Sequence, residues 1–338
     1  MQTANAVWLV AAFVLGAVLC GGTIRLLQPF WQQYAIAKPN ARSSHMKPTP
    51  QGGGIAVMLA VFVVALVPMS FASPLLPFVV LGALLLTALG AIDDLRALDA
   101  VLRLTVQAVA ALIVLAALPS DLRVVPAFPW WIERIVLAIA VLWFVNLVNF
   151  MDGIDWMTVA EVVPVTAALA LFGLTGALPH DATLAAFALC GAMIGFAPFN
   201  RPVARLFLGD VGSLPVGLLL GWLLILLAGH GHVAAALLLP LYYLADATIT
   251  LLHRLAKGEP IMQAHRSHFY QRALDTGSTV YGIVTRVFAA NIGLAALAAL
   301  TLTFPSMPVQ LIALTIGAAL VAALLFVFSR VSPRKLAP

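Results

Sequence analysis

Long apolar stretches alternate with short polar segments along almost the whole chain. A helix needs roughly 20 apolar residues to cross the hydrocarbon core of a bilayer, and eleven stretches approach this length. The alternating ten-residue strands that are typical of an outer-membrane barrel do not occur in the sequence. The pattern therefore predicts an all-α, polytopic integral membrane protein. The predicted spans are roughly 6–27, 52–71, 75–92, 101–119, 130–148, 157–177, 182–198, 212–228, 233–254, 280–302 and 308–328.

The composition supports a chain embedded in lipid. Of the 338 residues, 63% are hydrophobic and 9% are charged, whereas soluble domains carry about 25% charged residues. The mean hydropathy of +1.06 excludes a soluble enzyme, a disordered protein and a disulfide-stapled secreted domain. The net charge of +5 fits anionic substrates or lipid surfaces and not nucleic acid, because the basic residues lie in short loops. Cys20 and Cys190 lie within apolar stretches and indicate neither a disulfide framework nor a metal cluster.

The distribution of basic residues predicts how the chain lies in the membrane. With a periplasmic N-terminus, eleven spans place the C-terminus in the cytoplasm. Of the 18 Lys and Arg residues, only Arg123 and Arg134 then fall outside, in keeping with the positive-inside rule. We expect one transmembrane domain, residues 1–338, in a bacterial inner membrane, with its active site facing the cytoplasm. The cytoplasmic loops that would build this site are 28–51, 93–100, 149–156, 199–213 and 255–279.

Three of these loops supply candidate carboxylates. Asp93 and Asp94 adjoin at the end of a predicted span, where two like charges need a cation or a basic group nearby. The segment 149–155, NFMDGID, supplies the amide and carboxylate oxygens that Mg²⁺ prefers. Asp210 lies in FLGDVGS at a predicted helix start, which suits either a simple helix cap or a carboxylate beside a phosphate–metal complex.

Two further loops offer groups that bind phosphate. Lys47 lies in KPTPQGGG and provides a point charge for a phosphate, although a plain helix-start loop has the same composition. The segment HRSHFYQR gathers His265, Arg266, His268 and Arg272 into a donor-rich patch suited to a diphosphate. A basic loop at the membrane surface is the alternative. Zinc is disfavoured because no cysteine joins the two histidines.

Two acids fall within the predicted spans. Asp246 lies about 12 Å from the inner end of its span, at 1.5 Å per helical residue, and an ionisable group at that depth is a functional candidate. Pro240 is expected to break the same helix and open a groove. Glu161 lies closer to a span end, so the sequence leaves open whether it snorkels to the surface or has a function.

The segments KPTPQGGG, DDLRALD, NFMDGID, FLGDVGS and HRSHFYQR occur in this order. With them the chain resembles the polyprenyl-phosphate N-acetylhexosamine-1-phosphate transferases along essentially its whole length. The resemblance implies ten or eleven helices and a cytoplasmic active site that needs Mg²⁺, with Mn²⁺ as a substitute. It also implies transfer of a sugar-1-phosphate from a UDP-sugar to undecaprenyl phosphate, with release of UMP.

The resemblance, together with the chemistry of the loops, gives each residue an expected role. The expected metal ligands are Asp210 and Asn149. The expected catalytic residues are Asp93, Asp94, Asp152 and His268. The expected substrate-binding residues are Lys47, Asn149, Asp155, Phe207, His265, Arg266 and Arg272, with Phe207 packed against uracil. The lipid phosphate is already largely ionised at neutral pH, so we interpret Asp93 and Asp94 first as organisers of metal and basic groups, and Asp93 as a base second.

The fifth segment favours one branch of these enzymes over another. Arg266-Ser267-His268 stands where the peptidoglycan branch has three consecutive histidines, and Ala97 stands where that branch often has a basic residue. The form HRSHFYQR resembles the branch that initiates O-antigen of lipopolysaccharide. The expected sugar is an N-acetylhexosamine, with a 6-deoxy sugar left open, and phospho-MurNAc-pentapeptide transfer is the alternative.

A transporter or flippase is the alternative from a different class. Transporters place their coupling charges at mid-membrane, whereas here the acids and bases crowd into loops on one face. The distribution therefore favours an enzyme that meets a soluble substrate at the membrane surface. The partners expected are the UDP-sugar, the lipid phosphate and membrane lipid, and the oligomeric state is open, with a homodimer as one option.

Overall fold

The computed structural model of the chain describes residues 2–34, 36–37, 48–71, 73–116, 118–119, 121–260 and 265–330. Of residues 2–6, 34, 37, 69 and 70 it describes the backbone alone. Lys47 lies outside the described residues, so its expected phosphate contact stays a prediction.

The described part of the chain is almost entirely helical. Two short strands, β1 and β2, pair antiparallel and place Ile36 opposite Pro50. The elements in chain order are α1 (Gln2–Tyr34), β1 (Ile36–Ala37), β2 (Thr49–Pro50), α2 (Gly53–Val61), a π-helical turn (Phe62–Leu66), α3 (Val67–Ser70), α4 (Leu76–Leu95), α5 (Ala100–Ala116), α6 (Trp130–Met151), α7 (Met157–Leu174), α8 (His180–Asn200), α9 (Asp210–Gly229), α10 (Val233–Leu238), α11 (Leu241–Ala256), α12 (Phe269–Asp275), α13 (Val280–Thr303) and α14 (Met307–Arg330).

Every predicted span corresponds to a helix or a pair of helices. Among the described residues, eight helices are long and apolar enough to cross a membrane, namely α1, α4, α6, α7, α8, α9, α13 and α14. The other three predicted spans correspond to α2 with its π-helical turn, to α5 and to the pair α10–α11, which are shorter. The expected break at Pro240 is observed, because α10 ends at Leu238 and α11 begins at Leu241. The chain is thus an all-α polytopic membrane protein, and the number eleven stays a prediction.

Helix α9 lies at the centre of the bundle. It is apolar all round and buried along nearly its whole length, as expected for a helix without a solvent face. Helices α2, α4, α6 and α10 pack against it. The outward faces of the surrounding helices carry exposed aliphatic side chains such as Leu26, Leu81 and Ile139, which face lipid in a membrane protein.

Two features show how tightly the helices pack. A Cβ atom at Gly191 of α8 would lie 2.0 Å from the carbonyl oxygen of Phe13 in α1, so these two helices meet through a small residue, as membrane helices commonly do. Glu161 of α7 does not snorkel. It is 1% exposed and accepts a hydrogen bond of 2.7 Å from Nδ2 of Asn291 in α13.

Candidate active site

The end of α4 meets the start of α9 through one carboxylate. Asp94 accepts hydrogen bonds from the backbone N–H groups of Asp210 at 2.8 Å and Val211 at 3.1 Å. Gly90, one turn earlier in α4, makes this approach possible, because a Cβ there would lie 2.2 Å from the Asp210 carbonyl oxygen. The two acidic segments that lie 116 residues apart in sequence therefore form one cluster.

Asp93 faces a basic partner. Its carboxylate forms an ion pair of 2.8 Å with Arg103 in the first turn of α5 and accepts a hydrogen bond of 2.7 Å from the backbone N–H of Leu98. Asp93 also lies within hydrogen-bonding distance of the Asp210 side chain. This placement agrees with the expectation that an adjacent pair of carboxylates needs a basic group nearby.

Asn149, near the end of α6, reaches Asp210 from a second side. Its Nδ2 atom donates hydrogen bonds to Oδ1 of Asp210 at 2.7 Å and to Oγ of Ser213 at 2.9 Å. With this amide orientation, which is inferred from the hydrogen bonds, Asn149 orients the Asp210 carboxylate. Its expected role as a metal ligand through the amide oxygen stays a prediction.

Asp152 and Asp155 lie in the turn between α6 and α7. Asp152 accepts a hydrogen bond from the Thr158 hydroxyl. Burial raises the pKa of Asp152 to about 6, the nearby charges of Asp94 and Asp155 add to this rise, and the Thr158 hydrogen bond opposes it. Asp155 accepts a hydrogen bond of 2.9 Å from the backbone N–H of Ala204, so it fastens this turn to the loop that precedes α9.

Phe207 joins the same loop to the segment before α2. Its backbone N–H donates to the carbonyl oxygen of Pro50 at 2.8 Å, and its carbonyl oxygen accepts from Gly53 at 2.9 Å. The Phe207 side chain is partly exposed. The main chain of Phe207 thus has a clear structural role, and the expected contact of its ring with uracil stays a prediction.

His268 begins α12 and is held by Asp246 of α11. Its Nδ1 atom lies 3.2 Å from Oδ1 of Asp246, and the same carboxylate accepts from the backbone N–H groups of Phe269 at 3.0 Å and Tyr270 at 3.3 Å. His268 is 3% exposed and Asp246 is fully buried. The acid that the sequence places within a predicted span is therefore the anchor of the fifth segment.

The remaining groups of the fifth segment point in different directions. His265 stacks on His268 with ring centroids 5.0 Å apart, and burial, followed by the charges of His268 and Arg254, lowers the pKa of His265 to about 4. Arg266 forms an ion pair of 2.7 Å with Asp275. Arg272 lines a separate pocket. The structure therefore does not bring all four expected donors to one point.

One cleft joins four of the expected site residues to an apolar wall. It has a volume of about 550 Å³. Its polar end is lined by Arg103, Asn149, Asp210, His265 and His268. Its apolar side is lined by Leu104, Ile139, Leu142, Trp143 and Leu251. Ile139 is 63% exposed on the outer surface of the bundle, so this side of the cleft is continuous with the lipid-facing surface.

Comparison with known proteins places the chain among membrane transferases. A sequence profile of glycosyl transferase family 4 matches residues 76–228, from the start of α4 almost to the end of α9. Over 284 residues the chain is 26% identical to a Bacillus subtilis protein named "Probable undecaprenyl-phosphate N-acetylglucosaminyl 1-phosphate transferase", covering 80% of this chain and 78% of the relative.

Two other relatives extend the comparison. The chain is 27% identical to the decaprenyl-phosphate N-acetylglucosaminephosphotransferase of Mycolicibacterium smegmatis, over 72% of this chain and 69% of the relative. It is 31% identical to the phospho-N-acetylmuramoyl-pentapeptide-transferase of Neisseria meningitidis, over 51% of this chain and 58% of the relative. The profile match and these relatives support the polyprenyl-phosphate sugar-1-phosphate transferase superfamily.

The protein is therefore a glycosyl-1-phosphate transferase, as the five ordered segments predicted. The region matched by the family profile contains Asp93, Asp94, Asn149 and Asp210. The segment that carries His268 lies beyond it. The acidic cluster around the start of α9 thus belongs to the part of the transferase that the profile matches.

The acidic cluster has a donor set that fits a divalent metal, on which this family generally depends. Asp93 and Asp210 lie in contact, although two ionised carboxylates repel each other, and a divalent cation beside them would remove the repulsion. Over the described residues, no three His, Cys, Asp or Glu side chains form a metal-binding group. Mg²⁺, however, commonly takes only one or two carboxylates and completes its shell with water and substrate phosphates.

The structure adds one polar group to the transferase site that the sequence had not singled out. Arg103 lines the cleft and pairs with Asp93. From the sequence it contributed only to the number of basic residues that predicts the orientation of the chain in the membrane. The signal that could have found it is its position at the start of a predicted span, ten residues after an acid that needs a basic neighbour.

Proposed function

We propose that this transferase moves an N-acetylhexosamine-1-phosphate from a UDP-sugar to undecaprenyl phosphate and releases UMP. The observation that carries the proposal is the cleft that joins Asp210, Arg103 and His268 to an aliphatic wall open to lipid. Such a cleft accommodates a diphosphate and a prenyl chain together. The names of the relatives, which combine a prenyl phosphate with an N-acetylglucosamine phosphate, support the same substrates.

The reaction forms one bond and breaks another. An oxygen of the lipid phosphate attacks the phosphorus attached to the sugar, and the bond from that phosphorus to the UMP oxygen breaks. The lipid phosphate has a second pKa near 6, so it attacks as the anion without a general base. Positioning and charge neutralisation supply most of the catalysis in phosphoryl transfer.

The residues of the cleft have distinct tasks in this reaction. Arg103, held by Asp93 at 2.8 Å, attracts the lipid phosphate to the end of its apolar path. His268, fixed through Nδ1 by Asp246, turns its other ring nitrogen away from that carboxylate and receives the charge that develops on the diphosphate. Asp152 and Asp155 shape the turn where the nucleotide binds, together with Phe207 and His265.

The metal in this proposal is Mg²⁺, with Mn²⁺ as a substitute. Asp210 would hold it, with Asn149 and Asp93 beside it, and bound metal would neutralise the diphosphate. Asp94 acts indirectly, because it accepts hydrogen bonds from two backbone N–H groups at the start of α9.

The proposed setting is a bacterial inner membrane, with a periplasmic N-terminus, eleven spans and an active site on the cytoplasmic face. The basic residues support this orientation. The proposed pathway is the initiation of lipid-linked envelope glycan, for which the HRSHFYQR segment resembles the O-antigen branch. Phospho-MurNAc-pentapeptide transfer is the second candidate, because of the 31% identity to the Neisseria meningitidis relative.

Purified protein in detergent, with undecaprenyl phosphate and Mg²⁺, tests the proposal. UMP release is measured with UDP-N-acetylhexosamines, a UDP-6-deoxy-N-acetylhexosamine and UDP-MurNAc-pentapeptide. We expect release with one of the N-acetylhexosamines, and wild-type activity in the control Asp121→Asn, an exposed loop acid. Release with UDP-MurNAc-pentapeptide alone favours the second candidate. No release with any donor, together with lipid translocation in vesicles, favours a flippase and overturns the proposal.

A further inference from the structure

A second pocket lies between α11 and α12 and is separate from the cleft. Its volume is about 320 Å³, and none of its lining residues lines the cleft. Three of these residues are permanently cationic, Arg254, Lys257 and Arg272, and His253 lies beside them. Among the described residues that line this pocket, Glu259 is the one acid. The pocket therefore has a cationic interior suited to an anion.

Helix α11 is divided into a polar face and an apolar face at this point. His253, Arg254 and Lys257 follow Thr250 at intervals of three, four and seven residues, a spacing that places all four on one side of a helix. Ile249, Leu252 and Leu255 are 37%, 56% and 58% exposed on another side. A helix with cations on one face and exposed aliphatic side chains on another is typical of a membrane interface.

The hydrogen bonds of Arg254 indicate which kind of ligand the pocket binds. It is 8% exposed, and its Nη2 atom donates to the carbonyl oxygen of Pro260 at 2.8 Å. Its Nη1 atom lies 3.6 Å from the partly exposed Glu259 carboxylate. Its Nε–H is buried without a hydrogen-bond acceptor among the described residues. An unmade hydrogen bond to a buried charged donor is costly, and an anion in the pocket would supply the acceptor.

We propose that this pocket, the headgroup pocket, binds the phosphate of an anionic phospholipid. The phosphate accepts hydrogen bonds from Arg254 and attracts Lys257 and Arg272, and the acyl chains leave the pocket past the exposed side chain of Ile249, which lies one helical turn from His253. Basic pockets beside membrane helices recognise anionic headgroups in this way. The adjoining aliphatic surface favours a lipid over free phosphate, because a free phosphate ion has no apolar group to pack against it.

Binding of phosphatidylglycerol to the full-length protein, measured by native mass spectrometry in detergent without UDP-sugar, tests the proposal. Phosphatidylcholine serves as the zwitterionic comparison. A lysine near an anionic lipid surface contributes about 1 kcal/mol, so we expect Lys257→Gln to weaken phosphatidylglycerol binding about fivefold. The matched control is Arg286→Gln, which removes an exposed cation outside the pocket and should leave binding unchanged.

Three results would overturn the proposal. The first is equal binding of phosphatidylglycerol and phosphatidylcholine, or equal loss in Lys257→Gln and Arg286→Gln. The second is binding of glycerol 3-phosphate as tight as that of the lipid, which would assign the pocket to free phosphates. The third is displacement of phosphatidylglycerol by undecaprenyl phosphate in a Lys257-dependent manner, which would assign the pocket to the lipid substrate. Because no transfer is measured, failure here leaves the proposed function intact.

Discussion

The Asp94 carboxylate accepts a hydrogen bond of 2.8 Å from the backbone N–H of Asp210, the first residue of α9. An acid from α4 thereby caps a helix that begins more than a hundred residues later, and its charge complements the positive end of the α9 dipole. Asp210 owes its position to this contact. The adjacent acids of DDLRALD therefore have different tasks, since Asp93 pairs with Arg103 and Asp94 holds the backbone of Asp210.

Asp94→Asn should lower both stability and turnover. An amide has one acceptor oxygen instead of two, so one of the two backbone hydrogen bonds at the start of α9 is lost at a cost of about 1 kcal/mol, and displacement of Asp210 should lower turnover by tenfold or more. Thermal melting and UMP release measure the two effects. Thr279→Ala is the matched control, because it removes the side-chain cap of α13 at a similar cost in stability but should keep turnover. Equal turnover in both variants would contradict the assigned role of Asp94.

Asp210→Asn should keep the fold and lose turnover by orders of magnitude. The Asp94 carboxylate accepts its hydrogen bond from the backbone N–H of residue 210, so this bond is retained in the variant. A neutral amide, however, binds Mg²⁺ more weakly than a carboxylate. Turnover measured across a Mg²⁺ titration tests this, with Ser213→Ala as a control that loses only a hydrogen bond from Asn149. Near wild-type turnover of Asp210→Asn at limiting Mg²⁺ would remove Asp210 from the metal site.

Asp93 and Arg103 should act as a unit. Asp93→Asn and Arg103→Gln each break the same ion pair, so the double variant should be little worse than either single one. Turnover should fall more than nucleotide affinity, because the pair serves the lipid phosphate. An unchanged shape of the pH–rate profile in Asp93→Asn supports the role of organiser. Loss of the acidic limb of that profile would instead make Asp93 the base.

The sequence predicted the helices well because lipid imposes a simple rule on length and polarity. It placed the boundaries of α4, α9 and α13 within a few residues of their observed ends. Loops are different, because a pattern of charges does not say which side chains converge. Arg266 and Arg272 belong to one donor-rich segment, yet the first pairs with Asp275 and the second lines another pocket.

Long-range pairing was the part of the site that the sequence could not predict. The buried hydrogen bond of 2.7 Å between Asn146 and Gln107 and the contact of Asp94 with the backbone of Asp210 depend on how neighbouring helices lie against each other. No periodicity within a single helix encodes that packing. Asp246 was identified as a candidate from its depth, but the three groups of the fifth segment that it faces, at residues 268–270, became apparent only with α12 folded against α11.

Asp152 should make stability depend on pH. Its pKa is raised from 3.8 to about 6, so folding favours the protonated acid, and that contribution is present below pH 4 and lost as the pH rises through 6. Asp152→Asn should therefore melt about 4 °C above wild type at pH 7.5, and the difference should vanish near pH 4. Asp121→Asn, in an exposed loop, should show no such trend. A constant difference across this range would contradict the raised pKa.

Asp246 should serve catalysis through His268. Its carboxylate lies 3.2 Å from Nδ1 of His268 and holds the proton there, which leaves the other ring nitrogen for the substrate. An asparagine can turn its amide towards Nδ1 and reverse the tautomer, so Asp246→Asn should lower kcat about tenfold or more and alter the pH–rate profile, with KM for the UDP-sugar little changed.

A merely structural role for Asp246 predicts a different outcome, because the same carboxylate also accepts from two backbone N–H groups of α12. The double-mutant cycle with His268→Gln separates the two possibilities. If Asp246 acts by positioning the imidazole, Asp246→Asn should have little further effect on kcat once His268 is replaced. If it only holds α12, the two losses should multiply. Glu161→Gln is the matched control, since it also neutralises a buried acid within the helices but lies outside the cleft lining, and its kcat and pH–rate profile should stay those of wild type.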